Sequence, residues 1–192
     1  MATGNDNPMA APAVLDQVRE FVNTLDLETH EEQLDDPDGL ASWLEFRGLL
    51  PHGEPLTDAD VRQAQSMREA LRQLLLAHNG APLDPAAVDA VNAAAKSAEL
   101  VVRFDAHGHA SLVPSRPGID GALGRLLAIV FHSMADGTWE RLKACPAEDC
   151  EWAFYDSSKN RSRTWCDMAE CGNRAKARAY RQRRQRSSST AS

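Results

Sequence analysis

The 192 residues are 43% apolar and 26% charged, values that fit one globular domain with or without a small appendage and exclude a fibrous or wholly disordered chain. The longest unbroken apolar run covers residues 126–131, far short of the ~20 that cross a bilayer, and residues 1–16 have no secretory character, so neither a membrane nor a secreted protein is expected. The net charge of −7 is divided: residues 1–140 carry 9 Lys and Arg against 22 Asp and Glu, and residues 141–192 carry 12 against 6.

Residues 1–13 are small, polar and Pro-containing, and read as a flexible tail. From Val14 onward, Val14, Leu15, Val18, Phe21, Val22 and Leu25 recur at helical spacing. The acidic stretch 28–38 reads as a loop, and Pro37-Asp38-Gly39 turns into a second short helix bearing Leu40, Trp43, Leu44 and Leu49. Thr57 or Asp58 caps the longest helix, whose apolar face is Val61, Ala64, Met67, Leu71, Leu74, Leu75 and His78, and Asn79-Gly80 ends it. A further helix runs from 84 or 85 to 96 on Val88, Val91, Asn92 and Ala95.

The period then changes to that of strands. Residues 100–104 and 110–113 pair across a loop of Asp105-Ala106-His107-Gly108-His109. Another helix starts near Gly121 and carries Leu123, Leu126, Leu127, Val130, Phe131 and Met134, before Trp139 and Leu142 lead toward the first cysteine. The expected architecture is α+β: a mainly helical N-terminal domain with a β-hairpin over 14–140, a metal-bearing segment over 141–186 that ends in a helix, and a flexible tail over 187–192.

All four cysteines, Cys145, Cys150, Cys166 and Cys171, fall in the basic segment with spacing C-x4-C-x15-C-x4-C. Without a signal peptide the expected compartment is the reducing cytoplasm, where paired short spacings mean metal more often than disulfides. Four soft thiolates make a closed tetrahedral site for one structural zinc, with no open position for catalysis. Two disulfides are the competing reading. Between the pairs, residues 151–155 and 161–165 read as a strand, turn and strand, with Trp152, Phe154 and Trp165 placed to pack beside the metal. Knuckle, hairpin, second knuckle and helix is the order of a treble-clef zinc finger.

Between residues 174 and 186 lie seven basic side chains and no acidic one. Arg174, Arg178 and Arg181 form one ridge of a helix, with Lys176 and Arg183 on a neighbouring ridge and Arg184 beyond. The fork of arginine suits phosphate and guanine edges, so this helix, with Asn173 at its start and Arg161 and Arg163 on the preceding hairpin, is the expected DNA contact. Docking onto the chain's own acidic body competes with that reading, as do a protein-protein adaptor role and RNA binding through Trp152, Tyr155 and Trp165.

The N-terminal region holds no Gly-rich phosphate loop and no nucleophile or acid/base set, so an enzyme is not expected. His107 and His109 read as exposed loop residues rather than a second metal pair, and His78 and His132 as core histidines. Asn23, Trp43 and Arg47 form a candidate pocket for an unknown small-molecule ligand; the competing reading makes Asn23 a buried hydrogen-bonding post between helices.

Cys171-Gly172-Asn173-Arg174, preceded by Tyr155-Asp156, Asn160-Arg161 and Arg163-Thr164-Trp165-Cys166, resembles the bacterial CGNR zinc-finger family, and Trp139-Glu140-Arg141-Leu142-Lys143-Ala144-Cys145-Pro146 matches its opening. Phe21-Val22-Asn23-Thr24-Leu25 and Leu40-Ala41-Ser42-Trp43-Leu44 are similar to the ABATE domain that precedes this finger. The resemblance implies a stress-induced transcriptional regulator with a DNA-binding treble-clef finger and an N-terminal sensor or dimerisation module. Glu151 departs from it by placing a negative charge directly after Cys150.

Overall fold

The computed structural model describes residues 11–189, with side chains as far as Arg183. Residues 1–10 and 190–192, which belong to the two expected tails, lie outside the described residues, as does the side chain of Arg184. Helix α1 (Ala13–Val22) buries Leu15, Val18, Phe21 and Val22, one face at three- and four-residue spacing. Ala11, within the stretch expected as a tail, is buried. Val14 stays exposed, and Leu25 lies past the helix end in a bridge to Glu32.

Helix α2 (Pro37–Phe46) begins with the Asp36 carboxylate accepting the Gly39 N–H and with Pro37 where a missing donor costs nothing. Its Trp43 ring meets Phe21 of α1 at 5.5 Å between centroids. Helix α3 (Asp58–Ala77) opens on a full capping box between Thr57 and Asp60, which settles the cap in favour of Thr57. Helix α4 (Pro85–Ser97) and the hairpin β1 (Leu100–Phe104) with β2 (Ala110–Pro114) follow, in the register Val102↔Leu112.

Helix α5 (Gly118–Ala135) starts three residues before Gly121 and is buried along much of its length. Gly124 lets the hairpin lie against it, because a Cβ there would meet Ala98 Cβ at 2.7 Å and Pro114 Cβ at 2.9 Å. No helix among the described residues is long and apolar enough to cross a membrane.

A 3-10 turn (Trp139–Arg141) leads into β3 (Leu142–Ala144), which pairs antiparallel with β4 (Ala153–Tyr155). This corrects the expected hairpin between the cysteine pairs: 151–155 finds its partner before the first cysteine, and 161–165 forms no strand. Lys143 of β3 supplies the reason. Its ammonium donates to Asp156 Oδ2 (2.7 Å), Arg161 O (2.7 Å) and Arg163 O (3.0 Å), so the loop carbonyls curl around a buried cation. Asp156, fully buried, also accepts from Ser158 and from Arg163 N; burial pushes its carboxyl up, and the bonds from Lys143 and Ser158 outweigh that and hold it below the usual range.

One continuous core runs from Leu15, Phe21 and Leu44 through Leu71, Leu75, Leu123 and Leu126 to Leu142, Ala144 and Ala153. The step at residue 140, a boundary on the sequence reading, is therefore no break in packing. Leu34, inside the acidic loop, is fully buried in this core.

Two arginines of α3 are buried with the apolar residues. Arg68 reaches Glu32 (2.7 Å), Glu69 (2.8 Å) and Thr24 Oγ1 (3.2 Å). Arg72 has no exposed surface and donates to Glu69 Oε2 (3.0 Å), Val22 O (2.8 Å), Leu25 O (3.2 Å) and Glu151 O (3.0 Å). Removing the guanidinium strands several buried carbonyls. Arg72→Met is expected to cost about 3–5 kcal/mol in urea unfolding of the zinc-loaded chain, where an exposed control such as Arg62→Met costs under about 0.5 kcal/mol.

His78 packs edge-on to Trp139 at 5.0 Å, and its Nδ1 donates to Leu142 O (2.8 Å), the satisfied core histidine expected. Burial holds its pKa below the ordinary 6.5. The unfolded chain therefore binds this proton more tightly, so the contribution is complete above pH 6.5 and is lost as pH falls from there toward the lowered folded-state value. Melting temperatures across this range should fall more steeply for the wild type than for His78→Gln.

Candidate metal centre and basic helix

The first cysteine pair sits in the turn between β3 and β4. Cys145 N donates to Trp152 O (3.0 Å), while the N–H groups of Cys150 and Glu151 both converge on Ala147 O, at 2.9 and 3.0 Å. Glu151 takes a left-handed φ of 45°, a conformation that suits a small residue better than a charged one. Its carboxyl is half-buried and pushed up by burial, with Arg72 acting against that rise.

Of the second pair, Cys166 lies two residues before a π-helical turn (Met168–Gly172) that carries Cys171 and runs directly into α6 (Asn173–Ser189). The Asp167 carboxylate starts that turn, accepting from Ala169 N (2.6 Å) and Glu170 N (3.0 Å). Cys171 thus stands at the head of the terminal helix, the position the treble-clef order requires. Helix α6 continues three residues beyond Arg186, into the stretch expected as a tail.

The four sulfurs lie within 4.8 Å of one another. Two of their separations are Cys150 to Cys166, 3.5 Å, and Cys166 to Cys171, 3.7 Å. A tetrahedron with zinc–sulfur bonds of about 2.3 Å has edges of about 3.8 Å, so the donor set fits one zinc ion with all four positions filled. All four cysteines are free thiols, and Ala147, Phe154, Trp152 and Trp165 pack around them as expected. Hydrogen bonds from Cys150 and Cys166 pull the Cys145 thiol down to about 2, while Cys150 is pushed up to about 12 by the bond to Cys145 and Cys166 is pushed up by the bonds to both. Thiols bind zinc as thiolates, so zinc binding releases protons.

Each residue of the Cys171-Gly172-Asn173-Arg174 run has a separate structural task. Cys171 is a ligand. A Cβ on Gly172 would collide with Met168 Sδ and lie 3.3 Å from Trp165 Cδ1, so glycine lets both side chains close over the helix start. Asn173 Nδ2 donates to Ala169 O (2.9 Å) and closes the π turn. Arg174 donates to Cys171 Sγ (3.2 Å) and to Glu28 Oε1 (2.7 Å) of the acidic loop, contacts that raise its pKa further.

Several expected DNA contacts are thereby redirected. Arg174 is held against Cys171 and Glu28. Arg163 stacks over Phe154 at 5.0 Å and donates to Trp165 O (2.9 Å) and Cys166 O, so it braces the second knuckle from within. Asn173 keeps an exposed surface while capping the turn. Arg178 lies 3.8 Å from Asp149. Arg161, Lys176, Arg181 and Arg183 are exposed. At about 100° per residue, Lys176 and Arg183 stand on the side of α6 opposite Arg174, not on a neighbouring ridge.

The candidate ligand pocket is corrected as well. Asn23 is buried, and both ends of its amide are taken by one residue, Ala153: Oδ1 accepts from its N–H (2.7 Å) and Nδ2 donates to its carbonyl (2.9 Å). Arg47 covers Trp43 at 3.9 Å and donates to Glu20 (3.0 Å). The polar residue in α1's motif is thus a post, though one that bonds to β4 rather than to another helix. Sequence reasoning missed Arg72, Asn79 and Lys143, most of whose partners are backbone carbonyls with no sequence signature.

Two family models match the chain. Residues 141–184 match the CGNR zinc finger, and residues 16–137 match the ABATE model, described as "Putative stress-induced transcription regulator". No curated protein matches it. Chain purified without chelator should carry one zinc and no disulfide by metal analysis and thiol titration. Because the β3–β4 turn shares the helices' core, stripping the zinc is expected to lower the single calorimetric transition of the whole chain rather than melt the finger alone.

Proposed function

The chain belongs to the ABATE family and carries a CGNR zinc finger, and from that membership we propose that it is a cytoplasmic regulator of transcription that binds DNA through the exposed basic side chains of α6. The observation that carries this reading is the division of labour along the helix. Arg174 is paired with Glu28, and with Arg178 it approaches Asp149, while Lys176 and Arg183 stand exposed on the opposite side of the helix and Arg181 is exposed farther along the Arg174 ridge. The 17 residues of α6 span roughly 25 Å, several phosphates of a duplex. The zinc is structural and the protein a binding module rather than an enzyme, because four thiolates leave the metal no open position. Thiolate ligands need a reducing compartment, which supports the cytoplasm. Against RNA stacking, Trp152, Tyr155 and Trp165 are all partly buried, two of them against the cysteines.

The test is binding of the zinc-loaded chain to mixed duplex DNA across a salt series. The wild type should weaken along a log-log slope of about −0.9 per neutralised phosphate. The triple variant Lys176→Gln/Arg181→Gln/Arg183→Gln should keep its zinc and show a slope shallower by about 2–3. A flat salt response in the wild type would overturn the reading in favour of a protein-protein adaptor.

A further inference from the structure

The zinc site is held from outside as well as by its own thiolates. Asn79, just past the end of α3, spends both protons of one side-chain amide on the finger. Nδ2 donates to Ala144 O (2.9 Å), the carbonyl directly before Cys145, and to Thr164 O (2.6 Å), two residues before Cys166. The two acceptors lie on opposite arms of the metal site, twenty residues apart in sequence, and a single planar NH2 group sets their separation. The amide is itself fixed: Asn79 N donates to Leu76 O (2.9 Å), and neighbouring His78 anchors the same helix end to Leu142 O.

Other contacts from the N-terminal region reach one arm each. Arg72 holds Glu151 O, beside Cys150; Asn23 holds Ala153, three residues from Cys150; Glu28 holds Arg174, three residues from Cys171. Within the finger, Lys143 reaches from β3 to the second arm through Arg163 O. Among the N-terminal side-chain contacts described, Asn79 is the one that spans both cysteine arms.

We propose that Asn79 is a positioning residue of the zinc site, and that through it helix α3 sets how tightly and how long the metal is held. Outer residues that orient metal ligands typically alter metal affinity 10- to 100-fold when removed. The ABATE region is then part of the metal site, and the zinc of this chain is held more tightly than the four cysteines alone would hold it. The inference does not depend on what α6 binds.

The experiment uses the full zinc-loaded chain. Zinc transfer to a coloured chelator gives affinity and release rate, and the ligand-field spectrum of the cobalt-substituted protein reports the geometry of the four sulfurs. Asn79→Ala is expected to weaken zinc by 10- to 100-fold, to speed its release and to shift the cobalt bands. Asn79→Asp, nearly isosteric but without donor protons at neutral pH, should release zinc at least as fast. Asn23→Ala loosens docking of β4 without touching the second arm and should stay within about twofold of wild type, with unchanged cobalt bands. Wild-type zinc retention in both Asn79 variants would overturn the proposal. Equal losses in Asn23→Ala and Asn79→Ala would overturn it too, since they would trace the effect to docking in general.

Discussion

The arrangement of the whole molecule depends on a guanidinium that cannot reach water. Arg72 sits at the meeting of α1, α3 and the first cysteine turn, and each of its three nitrogens reaches an acceptor: Nε at Glu69, Nη1 at Glu151 O, and Nη2 at Val22 O and Leu25 O. A charge buried this way costs several kcal/mol unless its donors are satisfied, so the elements that supply the acceptors have little freedom to move apart. The C-terminal end of α1 gains as much as the arginine does. Its last carbonyls have no partner within the helix, and Arg72 provides one. The same side chain thus ends a helix, joins it to α3 and seats the zinc turn.

A second buried cation shapes the finger in the same way. Lys143 draws the Asp156 carboxylate and two loop carbonyls around itself, which turns residues 156–163 into a coil around a charge instead of a second hairpin strand. Zinc is the third cation, and it closes the two cysteine arms into one unit. The finger is therefore built around positive centres with their acceptors gathered about them, and its stability comes as much from satisfied electrostatics as from apolar area. The apolar cluster around its cysteines is small, Ala147 and Phe154 with Trp152 and Trp165 packed against them.

This organisation changes what the charge division along the chain means. An acidic body and a basic terminal helix invite the two extremes of full self-docking and full availability. The observed arrangement is intermediate: Arg174 is drawn to Glu28 and Cys171, and Arg178 lies 3.8 Å from Asp149 while staying exposed, as Lys176, Arg181 and Arg183 are. The helix starts on the zinc ligand Cys171, so its basic side chains stand on a frame shared with the zinc. Finger and N-terminal region behave as one rigid mount, since core residues from both occupy a single cluster.

The features legible in the sequence are those whose chemistry is local. Four thiolates at short paired spacing need a metal whatever surrounds them, the Thr57 and Asp36 caps act within three residues, and the periods of α3, α5 and the β1–β2 hairpin declare their faces. The run from Cys171 to Arg174 could be recognised as a motif, but the task of each residue in it came only from the fold: a ligand, a space where no Cβ fits, a cap on a π turn and a bridge to Glu28. The tertiary structure also decided that β4 pairs with β3, that Asn23 grips Ala153 and that Arg68, Arg72 and Lys143 lie inside. Each of those outcomes rests on a polar side chain meeting a partner far along the chain, usually a backbone carbonyl. Every residue carries such a carbonyl, so its sequence neighbourhood does not mark it. A buried charge is stable only where folding has gathered enough acceptors around it, and that gathering is a property of the assembled chain.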